Sequence, residues 1–134
     1  MKTKPAEFLS VALIAIPMLL GGCSGGGTKV SKDTTAFDKA FKSSPADVQA
    51  AAAKASAAFK AEKLLEAVDA LAEIARKGGL AQEQKDIIID MVVKIQTIMS
   101  LNPDKQDIRV HQSVENVTAA LEGRAPVVVG IRRN

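Results

Sequence analysis

The sequence predicts an all-α fold, a small helical hairpin or bundle domain behind a signal peptide and a flexible linker. Three observations carry this expectation. The alanine-rich stretch 46–77 contains neither Gly nor Pro, and alanine has the highest intrinsic helix propensity. Further on, Ile88, Met91, Val92, Ile95, Ile98 and Met99, and then Val110, Val114, Val117 and Leu121, recur at the three- and four-residue spacing of a helix face. Gly78 and Gly79, Asn102 and Pro103, and Gly123 stand where these runs stop, as terminators should.

At 134 residues the chain has room for one domain. The pattern divides it into a signal peptide at 1–22, a modified cysteine and linker at 23–43, a helical domain at 44–123 and an extended or disordered tail at 124–134. Four Phe with no Trp or Tyr leave few large rings for anchoring interfaces or stacking on bases, which counts against nucleic-acid or tight peptide recognition. Eighteen basic against fifteen acidic residues, a net charge of +3, is too small an imbalance to assign a partner. Small secreted proteins often staple themselves with paired cysteines. Here the single cysteine, Cys23, has no internal partner and is therefore spare or modified.

The amino-terminal segment has the anatomy of a signal peptide. Lys2 and Lys4 form a short basic start, and Phe8 to Leu20 is apolar apart from Ser10 and Pro17. A spanning helix needs about 20 consecutive apolar residues, and this run ends sooner, at Gly21 and Gly22. Leu20, Gly21, Gly22 and Cys23 in succession resemble the lipobox of bacterial lipoproteins. The resemblance implies cleavage before Cys23, transfer of a diacylglycerol group to its thiol, and attachment of the protein to a membrane. Each buried methylene contributes about 0.8 kcal/mol and stable anchoring takes more than one chain, which a cysteine carrying two or three palmitate-like chains provides. Ser24 follows the cysteine. In the enterobacterial version of the family an Asp there favours inner-membrane retention, so the resemblance implies a cell-envelope lipoprotein sorted to the outer membrane.

Behind the cysteine, Gly, Ser, Thr and Lys dominate up to Ser44, with Val30, Phe37 and Phe41 the sizeable apolar residues. This reads as a flexible linker, and about twenty such residues have a root-mean-square span of roughly 25 Å. Phe37 and Phe41, four apart and flanked by Ala36 and Ala40, suit a short amphipathic turn that docks on the domain in preference to the bilayer.

Ser44, Pro45 and Asp47 read as a cap, a first-turn proline and an early carboxylate. A single rod from there to Gly78 would be unusually long, so the polar cluster Lys60, Ala61, Glu62, Lys63 marks a tight turn in a hairpin or, failing that, one continuous helix. In the second half, Leu64, Val68, Leu71 and Ala75 share a face flanked by Leu65, Ala72 and Ile74. Phe59, Leu64, Ala67, Leu71 and Ile74 are spaced similarly to the later half of a tetratricopeptide repeat, which implies a turn between antiparallel helices with Ala67 as the small packing residue. Glu62 stands where that family usually has glycine, Leu64 replaces its common tyrosine, and Lys54 and Ala55 lie where leucine and glycine belong. With one copy visible and about three needed for a solenoid, the likeness informs local geometry alone.

Gln82 to Leu101 then reads as the central core helix, with Asp90, Lys94 and Gln96 at its margins. Asn102 and Pro103 end it and cap the last helix. Beyond Arg124 and Pro126, the run Val127, Val128, Val129, Gly130, Ile131 either packs across the helices or lies disordered; beside Arg132 and Arg133 it has the alternative of binding a partner or a membrane surface.

Catalytic equipment is not visible, and an enzyme is not expected. His111 is the only histidine, among Arg109, Gln112 and Glu115, without a second His or Cys at metal-ligand spacing. Glu83 with Asp86 and Glu62 with Glu66 have ordinary helix-surface spacing near lysines. The glycines from Gly21 to Gly27 lack the Lys and hydroxyl pattern of a phosphate loop. The sequence thus implies no metal, no cofactor and no nucleic acid. It leaves a membrane-anchored envelope lipoprotein presenting a helical surface to another envelope protein, with a small-ligand or enzymatic lipoprotein, its pocket among Met91, Ile95 and Met99, as the alternative.

Overall fold

A computed structural model describes residues 29–126, and these form five α-helices with no strand among them. In chain order they are α1 (Thr35–Phe41), α2 (Ala46–Lys60), α3 (Leu64–Lys77), α4 (Gln82–Leu101) and α5 (Ile108–Leu121), with a 3-10 turn at Pro103–Lys105. Their apolar faces join in one continuous core. The all-α expectation holds, and α4 has the expected bounds.

The hairpin is α2 and α3. Lys60 ends the first helix, and the chain reverses through Ala61, Glu62 and Lys63. Backbone bonds from Glu62 N–H to Phe59 C=O (3.0 Å) and from Lys63 N–H to Ala58 C=O (2.9 Å) close the turn as a Schellman cap. This motif places its second residue in the left-handed region, and Glu62 occupies it with φ +58°. Glycine accepts that conformation without steric cost, whereas a residue with a Cβ does not. The same cap recurs at the end of α5, where Gly123 (φ +71°) takes the left-handed position and Arg124 N–H bonds Ala119 C=O at 2.7 Å.

The central helix is α3, not α4. Eight of the fourteen residues of α3 are buried, against six of the twenty in α4, because α2 packs along one side of α3 and α5 along another. The reason lies in small side chains. Ala51, Ala52, Ala55 and Ala58 on α2 and Ala67, Ala70, Ala72 and Ala75 on α3 are all at most 5% exposed, and alanine lets helix axes approach towards the short end of the usual 8–10 Å. The larger Ile and Met side chains of α4 reach the same core from farther out, and that helix packs mainly on α1. Ser113 on α5 donates to Asp69 on α3 (2.6 Å), and Lys77 at the end of α3 bonds Asp47 at the start of α2 (2.7 Å).

The helical body begins earlier than the expected linker boundary at residue 44. Phe37 and Phe41 are 4% and 1% exposed, their ring centres 4.9 Å apart, so the amphipathic turn is a helix docked on the domain. Its entry is fixed by a buried relay in which Ser56 Oγ donates to Thr34 Oγ1 (2.7 Å) and Thr34 donates to Asp38 Oδ2 (2.9 Å). Both hydroxyls are thereby satisfied where water cannot reach them. Two caps also differ from expectation. Pro45, not Ser44, occupies the cap position of α2; the Ser44 hydroxyl instead accepts from Gln84 Nε2 (3.0 Å), which also donates to Ala40 C=O (3.0 Å) and ties α4 to the end of α1. Asn102 closes α4 by donating to Ile98 C=O (2.7 Å), but α5 is capped by Asp107, whose carboxylate accepts from Arg109 N–H (2.9 Å). The 3-10 turn intervenes because Pro103 lacks the N–H that would continue α4.

Two substitutions test this account. Phe41→Ala should lower unfolding free energy in urea by about 3–5 kcal/mol, the usual cost of deleting a buried ring; a loss near zero would return α1 to the status of linker. Glu62→Gly and Glu62→Ala remove the same carboxylate, yet the glycine variant should be the more stable by about 1 kcal/mol because only the backbone distinguishes them. Equal stabilities would show that the turn does not need the left-handed conformation.

Candidate functional site

Leu20, Gly21, Gly22 and Cys23, on which the lipoprotein expectation rests, lie outside the described residues, as does the apolar tail from residue 127. What the structure contributes is the place where the chain leading from Cys23 enters the bundle. Val30 packs against the core, and Lys32 forms an ion pair with Glu62 at the α2–α3 turn. Glu62 offers its other carboxylate oxygen to Lys105 of the 3-10 turn. One carboxylate therefore clasps the entering chain, the hairpin turn and the corner after α4.

Around this clasp lies a half-open cleft of about 720 Å³, lined by Lys29, Val30, Lys32, Glu62, Ile98, Leu101, Asn102 and Lys105. Three lysines and one carboxylate line it, and Val30, Ile98 and Leu101 supply an apolar wall. Leu101 is 48% exposed. A smaller hollow adjoins across Glu62 and Lys105, where Ile108 is 69% exposed beside Glu66, Asp104 and Asp107. The two sides of Lys105 thus differ in sign. Lys29, Lys32, Glu62 and Lys105 are too widely separated in sequence to have been read as a group. The one local signal was Glu62 itself, a charged residue where the hairpin resemblance implied glycine.

Electrostatic perturbation elsewhere is confined to surface pairs. Hydrogen bonds from the side chain and backbone of Thr35 hold the Asp33 carboxyl below its usual range. The Lys77 ammonium does the same for Asp47, which in turn raises the pKa of Lys77. Arg109, through its side chain and then its backbone N–H, lowers that of Asp107. These are exposed helix-terminal contacts, and none faces the cleft wall formed by Val30 and Leu101.

The chemistry sought in the sequence finds no assembled counterpart among the described residues. His111 is exposed, and no cluster of His, Cys, Asp or Glu there has the makings of a metal site. Met91, Ile95 and Met99 are at most 3% exposed and belong to the continuous core. Ser56 is buried, but its hydroxyl is committed to Thr34. Glu66 pairs with Lys63 at 3.4 Å, and Asp86 accepts from Gln82 at 2.8 Å. No described helix is long and apolar enough to cross a membrane.

No protein-family model, no curated protein and no solved structure matches the chain.

Proposed function

We propose that the protein is a bacterial envelope lipoprotein, held on a membrane by lipid on Cys23, that presents its helical domain to another envelope protein. The observation that carries this reading is the order of residues at the amino terminus: a basic start, an apolar run too short to span a bilayer, then Leu20, Gly21, Gly22 and the chain's single cysteine. Small residues before the cysteine suit a peptidase that holds the chain extended, and the thiol is the nucleophile that accepts the diacylglycerol group. Ser24 in the following position favours the outer membrane over the inner.

The domain supports a presenting role more than a catalytic one. Ile89 and Val93, one turn apart on the outer side of α4, are 49% and 51% exposed. Apolar side chains adjoining on a rigid helix form the kind of surface that a partner helix covers. This helix is tied to the end of α1 by the Gln84 bonds, and its last turn is closed by Asn102.

Full-length protein and Cys23→Ser, expressed in a bacterium with the lipoprotein pathway, distinguish the outcomes by intact mass and membrane fractionation. The wild type should lose residues 1–22, gain the mass of a diacylglyceryl or triacyl cysteine and sediment with membranes, while Cys23→Ser gains no lipid. Equal, unlipidated masses with cleavage at another residue would overturn the anchor. For the presented surface, a photo-crosslinker at Ile89 or Val93 of the anchored protein should give a discrete adduct with one envelope protein, absent when the probe is at Lys54 of α2. Identical adduct patterns from all three positions would overturn the assignment of that face.

A further inference from the structure

We infer that the cleft at the clasp is a contact site for anionic phospholipid: Lys29, Lys32 and Lys105 meet lipid phosphate while Leu101 enters the headgroup region. The placement rests on the proposed lipidation of Cys23; the charge and shape of the cleft do not.

The placement follows from chain length. Val30 is packed on the core and Lys32 is paired with Glu62, so the chain free to separate domain from lipid is the short run between Cys23 and Lys29. Even fully extended it reaches only about 20 Å. That is much less than a linker extending to residue 44 would give. An anchored domain is thereby held with its chain-entry end nearest the bilayer, and the cleft is at that end.

Charge and shape agree with that orientation. Three lysines and one carboxylate line the cleft, and Glu62 already accepts from two of the lysines. The cleft thus retains a net positive charge that a phosphate can meet. Lysines near an anionic surface each strengthen binding by about fivefold, and long lysine stems lie along apolar surface while their ammonium groups reach the polar layer. Leu101, 48% exposed at the last turn of α4, stands beside them as the apolar element. The adjoining hollow around Ile108 has the opposite balance: Glu62, Glu66, Asp104 and Asp107 outnumber Lys63 and Lys105 there, which disfavours negative charge on that side. Lipid contact is accordingly confined to the Lys29 side of Lys105.

The test uses the chain from residue 23 onward carrying Cys23→Ser, which has no lipid and keeps every described residue, with helicity checked by circular dichroism. It is mixed with vesicles of phosphatidylcholine alone or phosphatidylcholine with phosphatidylglycerol, and bound protein is measured by co-sedimentation. Retention is expected on the anionic vesicles only and should weaken with added salt. Lys29→Gln and Lys105→Gln should each lower the partition about fivefold. Leu101→Ser should lower it further, and Lys54→Gln should leave it unchanged. Equal retention on neutral vesicles, no retention on either, or cleft variants that bind like the parent would overturn the inference, as would displacement by inorganic phosphate at matched ionic strength. The intact mass of the full-length protein decides the anchor separately. Lipidated Cys23 with no vesicle binding overturns the cleft alone; vesicle binding without lipidation supports the cleft and overturns the anchor.

Discussion

Everything in this small bundle depends on the close approach of α2 and α3. The chain has no cysteine pair to staple it and few large rings to fill a core. Stability must therefore come from many small contacts at short range, and alanine on both helices makes such contacts available. Once the two rods lie close together, α3 is covered on one side and offers its remaining surface to α5 and α4. The two phenylalanines of α1 then add a buried pair at the margin, where α1 meets α2 and α4.

That dependence also explains what was legible in the sequence. Helix limits set by backbone chemistry were readable: the glycine stop after Lys77 and the Asn102 and Pro103 stop after α4 stand where residue types require them, and the polar cluster Lys60–Lys63 marked the reversal although Glu62 takes its left-handed position. Helix importance was harder. Hydropathy makes Ile88, Met91, Ile95 and Met99 look like the centre, whereas the helix that is most enclosed is the one with smaller side chains. Alanine is only mildly apolar, and what it contributes is proximity, a property of two helices that no single stretch records. The caps at Ser44 and Asn102 were displaced for a similar reason. Ser44 takes part in a bond to Gln84, forty residues away, and Pro103 introduces a separate turn before Asp107 can cap α5.

The candidate sites divide along the same line. The proposed processing signal would be read by another protein from a contiguous stretch, so Leu20 to Cys23 can be proposed from sequence alone. The lysine cleft is assembled from the entering chain, the hairpin turn and the corner after α4, and it exists only because the bundle brings them together. Linker composition was misleading at Thr34 to Phe41, where polar residues surround two rings. One of those polar residues, Thr34, is drawn into the interior by its bonds to Ser56 and Asp38.

The clasp at Glu62 also sets how the domain carries mechanical load. A tug on the chain from its amino-terminal side would meet Val30 and the Lys32–Glu62 pair before α1, and the same carboxylate is paired with Lys105. A glycine at this position would relax the backbone but remove the carboxylate that joins the entering chain to the corner after α4. The awkward residue in the turn is thus where the entering chain is made fast to the bundle.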